Sequence, residues 1–579
     1  MGVPITRKTD WVDCGQGVRL ERGVQCRMSD GIHLISDHYY PPQDGQQPTL
    51  LMRQPYGRDI ASTVVYAHPV WFARHGYNVV VQDVRGRGDS EGEFYPFRHE
   101  ARDGAETIAW LRAREESNGR VGMYGFSYQG VTQFLAAAEQ PEGLACIAPG
   151  MAACDLYNGW FYRQGALRLS SALGWGLQML KADARRKELH QASDRLEQVW
   201  ANLGAQPGML PFRDHPALHG EGLPKYVLDW FDHDQPSDYW ASLDVSESLH
   251  KISVPALHFS GWYDTYLEGS VDGFVALCRK SGSDFARANQ YLIAGPWQHI
   301  PWGDRIGTTD FGAEALLDTD AILLRWFNHW LKDSTEFAGE PKVRHFMLGE
   351  NSWRPADVFP EAATHALYLH SSGKANSRKG DGVLAPTHAA GNEPPDVFVY
   401  DPEVPVLAPG GPAAAAGQFD QATLELGNNL LVYTSGQLSQ ALHVFGTPRV
   451  SLFCSTSSAN TDFTAKLLRV RPNGVAEFIC MGIARSTWLF KTSYAADRIH
   501  EWKFDLAPTS CCFASGDRIR LEIASSAFPL YDRNPGSEIA SCRATSWDWR
   551  RSTQIVHHDG EHRSALYLPV SQEISEGAR

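Results

Sequence analysis

Val121-Gly-Met-Tyr-Gly125-Phe126-Ser127-Tyr128-Gln129-Gly130 is the stretch on which the reading of this 579-residue chain turns. A short apolar run, 119–124, leads straight into a serine flanked by glycines. Good helix formers with an apolar face follow from Val131 to Glu139. A serine hydroxyl becomes a useful nucleophile only when it is exposed, fixed and next to a base. A sharp strand-to-helix turn exposes and fixes it, at the cost of a strained backbone that tolerates only small neighbours. Gly125 at −2 and Gly130 at +3 meet that demand, and the free N–H groups of the helix start would face the site. The usual pattern is G-x-S-x-G, and Gln129 at +2 departs from it. An ordinary glycine-flanked turn is the competing reading of this stretch alone.

Outward from the serine, residues 25–150 alternate strand and helix patterns. Strands are expected at 31–40, 49–53 and 77–81, the last two as short apolar runs suited to a buried parallel sheet. Helices are expected at 61–74 and 103–112. This order predicts a doubly wound sheet with Ser127 at the carboxyl ends of its strands, where such sheets bind ligands. From 152 to 247 the chain turns helical in pattern and rich in Trp and Tyr, as an insertion covering the site would be. Sheet strands resume at 256–260 and 290–294, and a helix follows at 321–331. Beyond about 360, short strand-like runs recur at 366–370, 397–400, 430–433, 448–453, 465–470, 518–523 and 565–568. They predict an all-β sandwich or jelly roll, with the Ala/Gly/Pro-rich stretch 408–417 as a loop within it.

A serine nucleophile of this kind is followed in the chain by its acid and then its base. Asp264 follows the strand 256–260 through Gly261-Trp262-Tyr263, and His299 follows the strand 290–294 through Gly295-Pro296-Trp297-Gln298. Each is a strand, a glycine-led turn and then the polar residue, at the same sheet edge and in the right order. One histidine among 22 carries little weight alone; two placements in register with Ser127 carry much more. A tetrahedral oxyanion also needs donors held in place. The backbone N–H of Tyr128 is one. The loop Arg53-Gln54-Pro55-Tyr56-Gly57 offers the Tyr56 phenol as a second, unless Tyr56 only packs the loop.

Together these residues resemble the cocaine esterase-like family of serine hydrolases. That group also holds α-amino-acid ester hydrolases, glutaryl-cephalosporin acylases and X-prolyl dipeptidyl aminopeptidases. The resemblance rests on Arg53-Gln-Pro-Tyr56, Val81-Gln-Asp-Val-Arg-Gly-Arg-Gly-Asp-Ser-Glu-Gly-Glu-Phe94, the serine stretch, Gly261-Trp-Tyr-Asp264, Gly295-Pro-Trp-Gln-His299, Thr461-Asp-Phe-Thr-Ala-Lys466 and Phe528-Pro-Leu-Tyr-Asp-Arg-Asn-Pro535, and so spans nearly the whole chain. Elbows of this family read G-x-S-Y-x-G, which accommodates Gln129. The resemblance implies an α/β-hydrolase core (1–151 and 248–360), an inserted helical cap (152–247) and a C-terminal jelly-roll domain (361–579). It implies Ser127, Asp264 and His299 as the catalytic triad, and the Tyr56 hydroxyl beside the Tyr128 N–H as oxyanion hole. Aromatic pocket positions fall at Trp160, Trp175 and Tyr266, the last replacing a phenylalanine of the pattern. The expected reaction is hydrolysis of small acyl esters, aryl esters among them, through an acyl-enzyme. The alternative is an amidase or peptidase with the same triad, and no cofactor or metal is expected.

Composition sets the outer bounds. With 43% hydrophobic and 21% charged residues, the chain suits a soluble globular enzyme of two to four domains. A net charge of −14 without a basic block argues against nucleic-acid or anionic-membrane binding. No run of 18 apolar residues suggests a membrane span, and no apolar leader opens the chain, so a cytoplasmic enzyme is expected. Met-Gly-Val-Pro-Ile-Thr matches a myristoylation pattern too short to carry weight. Ten scattered cysteines lack metal spacing and suit a reduced compartment. An acidic enzyme of this size is often a dimer, so a second copy is the expected partner beside a small substrate. Arg87-Gly88-Asp89 reads as a structural turn, with Arg85 and Asp89 available for local ion pairs. Asp229, Asp232 and Asp234 read as a cap-anchoring turn, and His557, His558 and His562 as a solvated loop.

Overall fold

The structure is a computed structural model that describes residues 10–60, 64–361, 365–412 and 416–570. Its first half is built on one eleven-stranded sheet. In chain order the strands are β1 (Asp10–Asp13), β2 (Arg19–Arg27), β3 (His33–Tyr40), β4 (Gln47–Gln54), β5 (Asn78–Asp83), β6 (Ser117–Phe126) and β7 (Leu144–Gly150). After the helical insertion, which contains the two-residue strands β8 (Tyr162–Arg163) and β9 (Ala166–Leu167), come β10 (Ala256–Tyr263) and β11 (Gln290–Gln298). A small hairpin, β12 (Arg305–Ile306) and β13 (Thr309–Asp310), precedes the last two sheet strands, β14 (Val343–Met347) and β15 (Ser352–Ala356). The spatial order is β1-β2-β3-β5-β4-β6-β7-β10-β11-β14-β15. From β5 to β14 the neighbours run parallel; the two edges are antiparallel. Every residue of β5 is buried, as a parallel strand covered on both faces requires.

Helices α1 (Pro69–Arg74), α2 (Glu100–Arg112) and α3 (Tyr128–Ala138) connect the first parallel strands. The helix expected at 61–74 is shorter than its pattern: residues 61–63 lie outside the described ones, and α1 starts only at Pro69. Proline at the first helical position and the His68 ring accepting from the Val70 N–H fix that start. β1 and β2 gave no sequence signal; as an antiparallel edge hairpin, β2 buries only alternate stretches.

The insertion is helical, as its pattern predicts: α4 (Leu169–Arg186), α5 (His190–Ala201), α6 (Tyr226–Asp232) and α7 (Asp238–Ala241). The β8–β9 pair was not foreseen, because two residues per strand carry no period. One apolar core joins the insertion to a face of the sheet, with Val131, Phe134, Trp160, Leu173, Trp230 and Trp240 among its buried members. The opposite face packs on α1 and the helix Thr319–Lys332.

After His365 the described chain is almost wholly β. An eleven-stranded, mainly antiparallel sheet is accompanied by a separate pair, β20 (Leu442–Gly446) with β25 (Thr509–Phe513), numbering strands onward from β16 (His365–His370). Of the loop expected at 408–417, residues 413–415 lie outside the described ones. The reading of the three histidines as a solvated loop needs correction. His557 ends strand β27 (Ser552–His557), and His558 is buried, its Nδ1 3.1 Å from Glu393 and its Nε2 3.0 Å from Asp396. Two carboxylates enclose the ring, so this is an internal ion-pair knot.

Candidate active site

The turn after β6 has the strained geometry its glycines foretell. Ser127 sits at φ 61°, a left-handed value that a side chain adopts only when its surroundings enforce it. Its N–H donates to Gly150 O at 2.8 Å, and its carbonyl accepts from Gly130 N at 2.9 Å, which starts α3. Space dictates the two glycines. A Cβ on Gly125 would lie 2.5 Å from the Gln129 Cβ, and one on Gly130 would lie 2.5 Å from the Ala152 Cβ. The structure also gives Gln129 a local role. Its buried side-chain oxygen accepts the Phe126 N–H at 3.2 Å and so braces the turn from below.

Asp264 and His299 follow immediately on β10 and β11. Their supports are not the glycine-led turns that the sequence suggested. Both strands run on to Tyr263 and Gln298, with a register shift between Gly261 and Tyr263 that bends the strand end. Three side chains then converge. His299 Nε2 lies 3.0 Å from Ser127 Oγ, and His299 Nδ1 lies 2.7 Å from Asp264 Oδ1. Asp264 is buried, and its second oxygen accepts the Tyr266 N–H at 3.1 Å. An Nδ1–H donated to Asp264 leaves Nε2 as the acceptor for the serine hydroxyl, which is the tautomer a general base needs.

Tyr128 opens α3, so its N–H has no carbonyl within the helix to meet. Its phenol is anchored on the far side, donating to Glu100 at 2.8 Å and accepting from Phe97 N at 3.0 Å. Glu100 in turn pairs with buried Arg53 at 2.7 Å. Burial pushes the Tyr56 phenol up to about 12, while the neighbouring Trp175 indole and Ser127 hydroxyl pull against that rise. A phenol in this range stays protonated at neutral pH and has a proton to donate. The sequence reading missed the Arg53–Glu100–Tyr128 chain. It also missed Gln133, one helical turn beyond Gln129, whose amide donates to Gly125 O at 3.0 Å and accepts from Ala148 N at 2.9 Å.

The three expected pocket aromatics form a chain of contacts that starts at the imidazole. Tyr266 stands edge-on to His299 at 5.2 Å between ring centres and stacks on Trp160 at 3.8 Å. Trp160 meets Trp175 at 6.0 Å, and Trp175 stacks on Trp230 at 5.3 Å. Phe97, absent from the sequence reading, contacts Tyr128, Trp160 and Trp175. The other motifs take structural places. Arg85 pairs with Asp103 and Asp30, and Asp89 pairs with Arg58. Asp232 ties the insertion together through Arg213 and reaches Arg543 of the β region, while Asp229 accepts from Tyr95. All ten cysteines are free thiols. Among the described residues no helix is long and apolar enough to cross a membrane.

A buried carboxylate, an imidazole and a serine on a strained strand–helix turn, set at the carboxyl ends of the interior parallel strands β6, β10 and β11, define a serine hydrolase. The comparisons agree. Residues 30–301 match the X-Pro dipeptidyl-peptidase (S15 family) profile, and residues 335–567 match the X-Pro dipeptidyl-peptidase C-terminal non-catalytic domain. The chain is 35% identical over 572 residues to the cocaine esterase of Rhodococcus sp. (strain MB1 Bresler), covering 94% of this chain and 98% of that one. It belongs to the cocaine esterase-like (CocE/NonD, X-Pro dipeptidyl-peptidase S15) family of serine hydrolases. Two solved structures share its fold. An α-amino acid ester hydrolase superposes with a TM-score of 0.77 at 24% identity, covering 98% of this chain and 100% of the other. An aminopeptidase from a marine sediment Thaumarchaeota archaeon gives 0.78 at 23%, covering 95% and 96%.

Proposed function

We propose that this chain is a carboxylic ester hydrolase acting on small acyl esters, aryl esters among them, through an acyl-enzyme. The observation that carries the reading is the continuous contact from Asp264 through His299 to Ser127 on a turn held at φ 61°. In this mechanism Ser127 Oγ attacks the acyl carbon as its proton passes to His299 Nε2. Asp264 keeps the ring oriented and stabilises its charged form. The Tyr128 N–H and the Tyr56 hydroxyl donate to the oxyanion of the tetrahedral intermediate. Collapse expels the alcohol, which takes the proton from His299. Water then enters, gives a proton to the same nitrogen, and releases the acid.

The aromatic assembly of Trp160, Trp175 and Tyr266 supports a flat or apolar acyl group. We assign the helical insertion as the cap over that group and the C-terminal strands as a jelly roll. A second reading, an amidase or X-Pro dipeptidyl peptidase, draws on the family profile matched by residues 30–301. A panel of p-nitrophenyl esters, acyl anilides and Xaa-Pro anilides separates the two. Turnover of esters at least a hundredfold above anilides is the expected result, with Ser127→Ala inactive throughout. Preference for Xaa-Pro anilides would favour the second reading.

A further inference from the structure

The junction between the core sheet and the β region holds a second cluster of chemically able side chains, away from Ser127. Glu350 lies in the turn between β14 and β15. That turn is zipped onto β25: Leu348 N donates to Ser510 O at 2.9 Å, and Cys512 N donates to Leu348 O at 2.8 Å. Strand β20 pairs antiparallel with β25 and sets His443 directly opposite Cys512. Residues opposed in this way carry their side chains on one face. The result is a carboxylate oxygen, an imidazole nitrogen and a thiol sulfur all within 4.8 Å of one another.

We propose that Glu350, His443 and Cys512 bind one Zn²⁺ ion, which clamps the edge of the core sheet to the β region. Mixed O, N and S donors suit a borderline-soft cation that accepts four-coordinate geometry. Ligand atoms at zinc distances stand about 3.3–3.8 Å apart, so the cluster must close by only about an ångström from its widest separation. His443 Nε2 and Glu350 Oε1 lie 2.5 Å apart in a direct hydrogen bond, so this pair must open by just under an ångström to admit the ion. Arg354 holds the other carboxylate oxygen at 2.7 Å, which orients the first toward the cluster as a supporting shell does. Glu350 and His443 are half-buried and reachable from solvent, while Cys512 is buried. Water completes the fourth position. Binding breaks the Glu350–His443 hydrogen bond and releases the thiol proton to solvent. Because a thiol must lose its proton to ligate, affinity rises with pH.

The test uses the full chain, stripped with a chelator and titrated with Co²⁺ as the optical probe. One Co²⁺ per chain is expected, with a thiolate-to-cobalt charge-transfer band. Cys512→Ser removes the band, His443→Ala weakens binding at least tenfold, and Zn²⁺ displaces the cobalt. Zn²⁺ raises the Tm of the wild-type protein and leaves that of Cys512→Ser unmoved. Metal-free circular dichroism checks that each variant is folded. If Cys512→Ser is not, Glu350→Gln replaces it with the same expected loss of affinity. Absence of the band in the wild type, its survival in Cys512→Ser, or an equal Tm gain in both proteins overturns the proposal.

Discussion

At the scale of single residues the protein's behaviour is governed by where protons and charges sit. A Tyr56 phenol raised to about 12 is a donor throughout the neutral range. Tyr56→Phe keeps the ring and removes the donor, so kcat should fall about 10²–10³-fold with the fold unchanged. Steady-state kinetics beside circular dichroism measures this; an undiminished kcat would return Tyr56 to the role of loop packing. His558 supplies the pH-dependent counterpart. Burial works against its charge, but hydrogen bonds and attraction from Asp396 and Glu393 win, so its pKa stands above the ordinary 6.5. The folded state thus binds the proton more tightly than the unfolded chain. The stabilisation is complete below pH 6.5 and fades as pH rises through the folded pKa. The Tm of the wild type should decline across that window, and in His558→Gln the decline should be smaller. Nothing in the run His557-His558-Asp559-Gly560-Glu561-His562 announced this burial, because Glu393 and Asp396 come from far away in the chain.

At the scale of elements, the turn after β6 shows how far a sequence can be read. Two glycines around a serine were enough to foresee a crowded, strained corner. Of the atoms they must avoid, Gln129 Cβ belongs to the first turn of α3 itself, whereas Ala152 Cβ comes in only when α3 packs beside the end of β7. Gly130→Ala should therefore destabilise by about 1–3 kcal/mol through overpacking. Ala152→Gly in the same chain should recover most of that loss, a coupling that denaturant melts of the four proteins would reveal. Simple additivity of the two changes would contradict the assigned contact. Asp264 and His299 were legible because each follows a run of buried apolar residues in chain order. The bend at Gly261–Tyr263 that aims them was not, since a bulge depends on how β10 and β11 pair. The edge hairpin β1–β2 was silent because its burial is patchy.

At the scale of the whole molecule, the β region is part of what keeps the core sheet dry. One apolar core contains Trp262 and Phe346 from the sheet together with Val444, Phe445 and Met481 from the β region. The His345 ring lies flat on Phe445 at 3.7 Å. A fragment ending at residue 360 should accordingly expose this face and aggregate or bind a hydrophobic dye, rather than yield a folded monomer. Gel filtration with dye binding decides it, and a well-folded, soluble fragment would show that the shared core is dispensable. Composition and strand rhythm foretold an all-β second half, but not which strands would close over the sheet, because such pairings span up to hundreds of residues. All of these layers serve one claim, that Ser127 is the nucleophile and His299 its base. Intact-mass and peptide analysis after treatment with a fluorophosphonate probe tests it most directly. A single adduct on Ser127 is predicted, lost in Ser127→Ala and much slowed in His299→Ala; a wild-type protein left unlabelled, or labelled elsewhere, would contradict it.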